Sequence, residues 1–226
     1  MRSESDNSKV GVPLSLVSIE QNDEFGIWEV GMDKKGEIDY LSKIIQPDVS
    51  VITNISYAHS KNFKNINKIA EAKAEIMNNI KSNGTIVLNM DDIFYGFFKN
   101  LALRKKLKVV SFGIQNKSSM SKLVKIKKIK DKYELFISID GLIVSFYSYN
   151  CNRSNLYNIL ATLASINLYV DIKKLKKNTF LNFKTPSGRG DISQLKLGNK
   201  KIFLIDESYN SNPLSLKIAI ENYHKL

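Results

Sequence analysis

Two kinds of apolar pattern alternate along most of the chain. Short apolar runs predict strands at residues 25–30, 49–55, 85–89, 109–112 and 201–205. Longer segments with apolar residues three or four positions apart predict helices at residues 37–45, 66–80, 93–107 and 155–170, with another beginning near Pro213. Strands that alternate with helices are typical of an α/β fold, in which a mainly parallel sheet is flanked by helices.

Residues 124–146 depart from this alternation. Their pattern predicts antiparallel hairpins, with a turn at Asp140 and Gly141. We therefore expect a small antiparallel β section beside the parallel sheet. A loop at residues 185–190, which contains two glycines and a proline, interrupts the chain before the last predicted strand.

The composition excludes several classes of protein. Because 43% of the residues are hydrophobic, the chain can fill a core and is not disordered as a whole. No apolar run approaches the roughly 18 residues that a membrane span needs, and the polar N-terminus does not resemble a signal peptide. One cysteine, Cys151, and two histidines exclude disulfide frameworks and Cys/His zinc sites. We expect a cytoplasmic protein without membrane insertion.

The net charge of +12 arises from 34 Lys and Arg against 22 Asp and Glu. Only four of the 34 are arginines, although arginine is the residue that recognises bases and phosphates with paired hydrogen bonds. The densest basic stretch, residues 99–132, alternates lysine with apolar residues, which is typical of solvated faces of strands and helices. We therefore expect no nucleic-acid partner.

Polar residues lie at or just after the ends of four of the predicted strands. They are Glu29, the pair Asn54 and His59, the pair Asp91 and Asp92, and the pair Asp206 and Glu207. The carboxyl ends of parallel strands meet at one edge of a sheet, where open α/β sheets bind ligands, and carboxylates there suit Mg²⁺ and phosphate. Each residue alone has an ordinary alternative, since an acidic residue after a strand is commonly solvated or caps a helix, and a lone histidine or a helical lysine such as Lys73 commonly lies on the surface.

The joint arrangement of these residues resembles the Mur ligase family along nearly the whole chain. Similar strings are GVPL at 11–14, EVGM at 29–32, GEI at 36–38, ITNI at 52–55, AH at 58–59, AKAEI at 72–76, NMDD at 89–92, the paired Asn155 and Asn158, and GRG at 188–190. The most diagnostic string is DESYNSNP at 206–213. It is similar to the DDSYNANP of those ligases that add D-alanyl-D-alanine to UDP-N-acetylmuramoyl-tripeptide.

The resemblance implies the cofactors ATP and Mg²⁺ and a set of site residues. Glu29, His59 and Lys73 would hold magnesium, with Lys73 carbamylated to supply a carboxylate-like ligand. His59 and Lys73 would thereby also serve catalysis. The residues that would bind the nucleotide are Asn155 and Asn158 near the adenine, Arg189 at the phosphates, and Asp206 or Glu207 at the ribose.

The resemblance also implies the reaction. ATP would phosphorylate the carboxylate of UDP-N-acetylmuramoyl-tripeptide, and the amine of D-alanyl-D-alanine would attack the resulting acyl phosphate, in cytoplasmic peptidoglycan precursor synthesis. The alternatives are another amide ligase of the same superfamily, such as a folylpolyglutamate synthase, or a non-catalytic remnant that keeps only the fold. We expect the full-length protein to be a monomer.

Some family features do not occur in this sequence. The family's GxxGKT/S phosphate loop is not present, and we expect it just upstream of Met1. Asn152 and Ser154 stand where the subfamily has Gly and His. We therefore expect a partial central domain at residues 1–187, followed at 188–226 by the beginning of a C-terminal α/β domain, and we expect poor solubility from unpaired strand edges.

Overall fold

A six-stranded mixed sheet organises the protein. The computed structural model describes residues 7–56, 62–183, 188, 191–198, 200–206, 208, 216–217 and 220. The strands lie in chain order across the sheet: Val49–Ile52 (β1), Thr85–Asn89 (β2), Lys108–Gly113 (β3), Ser121–Ile129 (β4), Lys132–Ile139 (β5) and Leu142–Ser148 (β6). The pairs from β1 to β4 are parallel, whereas β4, β5 and β6 pair antiparallel. The predicted antiparallel section is therefore continuous with the parallel sheet.

The helices cover both faces of this sheet. They are Gly11–Val17 (α1), Glu37–Ile45 (α2), Ile66–Ala74 (α3), Tyr95–Arg104 (α4) and Arg153–Ile166 (α5), with 3-10 turns at Glu75–Asn78 and Ile172–Lys174. Asn65 and Asn152 cap α3 and α5, because each side-chain oxygen accepts a hydrogen bond from the backbone N–H three residues later. The fold class predicted from the pattern of the sequence is confirmed.

Strand β2 shows how the chain builds a core on each side of the sheet. Ile86 and Leu88 pack on one face with residues of α2, α3 and α4, while Val87 points to the other face with residues of α5. All three side chains are buried, since side chains alternate between the faces of a strand. The parallel part of the sheet is therefore covered on both sides, and its strand ends remain at the edge.

The predicted strand at residues 25–30 is wrong. This segment has no regular secondary structure. A strand needs a neighbour with which its backbone exchanges hydrogen bonds, and among the described strands β1 pairs only with β2. The segment instead holds Val30 and Met32 against the core beneath α2 and α3.

Two elements were not predicted from the sequence. One is helix α1, and the other is the strand Asp191–Leu197 (β7), which pairs antiparallel with Lys200–Asp206 (β8) in a separate two-stranded sheet. The helix predicted near Pro213 falls largely outside the described residues. The loop at 185–190 is described only at Gly188.

Candidate functional site

The ends of β1 and β2 are held together by side chains of the NMDD string. The Asn89 amide donates to the backbone oxygen of Thr53 at 3.2 Å, and Asp92 accepts the backbone N–H of Ile55 at 2.9 Å. Asp92 also accepts the N–H of Phe94 at 2.8 Å, ahead of helix α4. Asp92 therefore has a structural role. This agrees with the alternative interpretation of an acidic residue after a strand as a capping residue.

Asp91 links the end of β2 to the loop after β3. Its carboxylate accepts the backbone N–H groups of Ile114, Gln115 and Asn116 at 2.6, 2.9 and 2.7 Å, and the hydroxyl of Tyr157 at 2.9 Å. Burial by itself would raise the pKa of Asp91, but these four donors outweigh burial and hold the pKa below its usual range. Asp91 is therefore an anionic junction between two strand ends and helix α5.

Lys73 lies on α3 close to the carboxylate of Glu29. Burial lowers the pKa of the Lys73 amine, and the electrostatic attraction of Glu29 opposes this shift only in part. Asn7 orients the carboxylate, since its amide donates to Glu29 at 3.1 Å and its backbone oxygen accepts the N–H of Gly31 at 3.0 Å. The structure thus brings together two of the three predicted magnesium residues.

Glu75, two residues after Lys73, has a structural role. Both of its carboxylate oxygens lie 2.9 Å from the backbone nitrogen of Gly36, at the start of helix α2. An anion at this position also interacts favourably with the helix dipole. The AKAEI and GEI strings therefore hold α3 and α2 in contact, which places Lys73 near the segment that carries Glu29.

The two asparagines of α5 are in different environments. Asn155 is 2% exposed, and its amide donates to Asn150 at 2.6 Å and to Ser148 at 3.3 Å. Asn158 lies one turn further along the helix and is exposed. The family resemblance implies that both lie near the adenine, but of the two only Asn158 is exposed to solvent.

Three of the predicted site residues, His59, Arg189 and Glu207, lie outside the described residues. Asp206 ends β8, and hydrogen bonds from Ser208 lower the pKa of its carboxyl group. Within the described part of the chain, no group of three or more His, Cys, Asp and Glu side chains forms a metal cluster. In the same part of the chain, no helix has the length and apolar character of a membrane span.

Sequence reasoning missed Asn7 and Tyr157. A tyrosine at helical spacing is ordinarily a core residue, and nothing in the sequence connects it to Asp91, which is 66 positions away. The spacing of Arg153 and Tyr157 was a usable signal, because side chains four apart on a helix meet. The Arg153 guanidinium donates to the Tyr157 hydroxyl at 3.2 Å.

A mixed sheet flanked by helices, with a lysine beside a carboxylate, defines an α/β domain of the kind that commonly binds ligands at its strand ends. The family can be stated as well. The chain belongs to the Mur ligase family, whose middle-domain model matches residues 2–166.

Known proteins of this family resemble the chain over most of its length. The UDP-N-acetylmuramoyl-tripeptide--D-alanyl-D-alanine ligase of Buchnera aphidicola is 32% identical over 221 residues, which are 95% of this chain and 46% of that protein. MurF from Acinetobacter baumannii shares the fold with a TM-score of 0.85 at 24% identity, covering 99% of this chain and 47% of that one. MurF ligase from Thermotoga maritima, solved in complex with ADP, has a TM-score of 0.75 at 25% identity, covering 93% and 47%. The chain spans about half the length of these relatives.

Proposed function

We propose that this chain forms the Mg²⁺- and ATP-binding part of a ligase that adds D-alanyl-D-alanine to UDP-N-acetylmuramoyl-tripeptide in cytoplasmic peptidoglycan precursor synthesis. The observation that carries the proposal is the placement of Lys73 beside Glu29 in a Mur ligase middle domain. The ADP bound to the Thermotoga maritima relative supports a nucleotide as the ligand. The proposed partners are the two ligase substrates, and the full-length protein is a monomer.

The donor set fits magnesium if Lys73 is carbamylated. Glu29 offers the carboxylate oxygens that Mg²⁺ prefers, whereas an ammonium group repels the ion. Burial favours the uncharged Lys73 amine, which can take up CO₂ and become an anion with two oxygens. Glu29, His59 and the carbamate of Lys73 would hold the ion, which would neutralise charge on the transferred phosphoryl group.

The adenine is assigned to Asn158. An exposed amide can accept a hydrogen bond from the adenine amino group and donate one to the adjacent ring nitrogen. Asn155 is buried one turn before Asn158, and its amide NH₂ group donates to Asn150 and Ser148. Arg189 is proposed for the phosphates, and Asp206 or Glu207 for the ribose.

The residues of this chain would act by positioning and electrostatics. The carbamate of Lys73 and the carboxylate of Glu29 would present negative charge to the magnesium ion beside the phosphates. Asn158 would hold the adenine. No side chain of the proposed site serves as a covalent nucleophile, so holding the reacting groups in line would supply the rate.

We further propose that a partial central domain spans residues 1–187 and that residues 188–226 are the beginning of a C-terminal domain.

The proposal is tested by phosphate release from ATP by the ligase that contains this chain, in the presence of both ligase substrates. We expect release that requires D-alanyl-D-alanine and UDP-N-acetylmuramoyl-tripeptide together, and that falls by about 100-fold or more in Lys73→Ala, as for loss of a preorganised electrostatic group. Lys81→Ala is the control, since Lys81 forms an exposed ion pair with Asp48 at 2.9 Å. Release that ignores either substrate, or no release, would contradict the ligase function of this chain.

A further inference from the structure

Tyr157 is joined to two different parts of the molecule. Its hydroxyl donates to Asp91 at 2.9 Å and accepts from Arg153 at 3.2 Å, so the hydroxyl lies between an anion and a cation. The guanidinium also lies 5.6 Å from the centre of the Tyr157 ring. Phe112 of β3 contacts the ring edge-to-face, with 6.5 Å between centroids. The side chain is therefore held in one orientation.

Asp91 is also held in place by contacts that do not involve Tyr157. The three N–H groups at residues 114–116 surround the carboxylate, and Gly113 permits this approach. A Cβ at Gly113 would lie 2.6 Å from Ser119 Oγ, which is too close, and 3.1 Å from Asp91 Oδ1, which would have to shift by a few tenths of an ångström. The Asp91 carboxylate is thus held in a fixed position between the ends of β2 and β3.

Asn158 follows Tyr157 directly on α5. A shift of the helix around Tyr157 would move the Asn158 amide by a similar amount, and an error of about 1 Å in a binding group can cost 100-fold. We propose that Asp91 and Tyr157 are positioning residues that hold the Asn158 amide in place for reading the adenine of ATP. This inference rests on the proposed function, because it assumes that the site binds ATP.

The Tyr157 hydroxyl is well suited to this task. Burial and the neighbouring Asp91 raise the pKa of Tyr157, while Arg153 opposes them only in part. The hydroxyl therefore keeps its proton at neutral pH and remains the donor to Asp91. A hydrogen bond from a neutral donor to a carboxylate is stronger than a hydrogen bond between two neutral groups.

The experiment compares ATP and GTP binding, each with Mg²⁺, in the unmodified chain, in Tyr157→Phe and in Tyr169→Phe. Guanine presents acceptors where adenine presents one donor and one acceptor, so GTP does not use the Asn158 amide in the same way. We expect Tyr157→Phe to weaken ATP binding about tenfold, the loss of one hydrogen bond to a charged group, and to leave GTP binding unchanged. Tyr169→Phe makes the same chemical change beyond the other end of α5 and keeps the ring contact with Phe25, so its affinities should not change.

The outcomes separate this inference from the proposed function. If Tyr157→Phe lowers the affinities for ATP and GTP equally, or lowers neither, the positioning role is overturned and the proposed nucleotide site is unaffected. An unmodified chain that binds neither nucleotide would overturn the proposed function and this inference with it. Thermal unfolding of each variant establishes that the samples compared are folded.

Discussion

At the scale of single residues, Lys73 shows how burial changes the chemistry of a side chain. An exposed lysine on a helix is protonated at neutral pH and serves as a solvated cation. Lys73 is partly buried, and the removal of water lowers the pKa of its amine. The residue is thereby prepared for reaction with CO₂, which requires the neutral amine.

Carbamylation of Lys73 can be measured directly. With ¹³C-labelled bicarbonate we expect one protein carbamate resonance in the carbon NMR spectrum, absent in Lys73→Arg and retained in Lys81→Arg. Because the pKa of Lys73 is lowered, its neutral amine is present at lower pH than the amine of an ordinary exposed lysine, so the carbamate should persist as pH falls toward neutrality. A resonance that survives Lys73→Arg would assign the carbamate elsewhere.

At the scale of elements, several side chains within the family strings hold helices and strands in contact with one another. Glu75 joins the turn after α3 to the start of α2, and Asp92 joins β1 to β2. Asp92 was a candidate for chemistry by its position after a predicted strand, and Glu75 belongs to the AKAEI string. Their hydrogen bonds to backbone N–H groups identify them as parts of the scaffold.

The contact between Glu75 and α2 gives a prediction of stability. Glu75→Ala should lower the free energy of unfolding by about 1 kcal/mol, the usual cost of losing a side chain that satisfies the first turn of a helix. Glu71→Ala on α3, one turn earlier, removes only an exposed pair with Lys68 and should change stability by less than about 0.5 kcal/mol. Urea unfolding at neutral pH measures both variants, and equal effects would contradict the bridging role.

The sequence predicted elements best where the local pattern and the tertiary structure agree. Strand β2 has the predicted bounds, and α2 begins and ends as predicted, because each combines a clear apolar pattern with a turn at its ends. The helix predicted at 66–80 is α for only nine residues and continues as a 3-10 turn through Asn78. The strand predicted at residues 25–30 was wrong because strand formation depends on a neighbouring strand, which no local sequence pattern reveals.

The candidate site was predictable only in part, for a similar reason. Strand ends and family strings located Glu29, Lys73 and Asn158 from the sequence. The difference between a buried Asn155 and an exposed Asn158 depends on how α5 packs against the sheet. The contact of Tyr157 with Asp91 depends on bringing together residues that are far apart in the chain.

At the scale of the whole molecule, the two ends of the proposed nucleotide site would come from opposite faces of the sheet. Helices α2, α3 and α4 lie on one face and α5 lies on the other, so Lys73 and Asn158 belong to helices on opposite faces. In the proposed site, the phosphates of ATP would meet the magnesium ion near Lys73, and the adenine would meet Asn158. The central claim is that Glu29 and Lys73 form the end of this site that binds magnesium and phosphate.

Calorimetric titration of the chain with ATP and Mg²⁺ tests that claim most directly. We predict binding with micromolar affinity that is abolished in Glu29→Ala and in Lys73→Ala and is retained in Lys81→Ala, whose lysine belongs to an exposed pair with Asp48. Absence of binding in a folded sample, or binding that survives both Glu29→Ala and Lys73→Ala, would contradict the account.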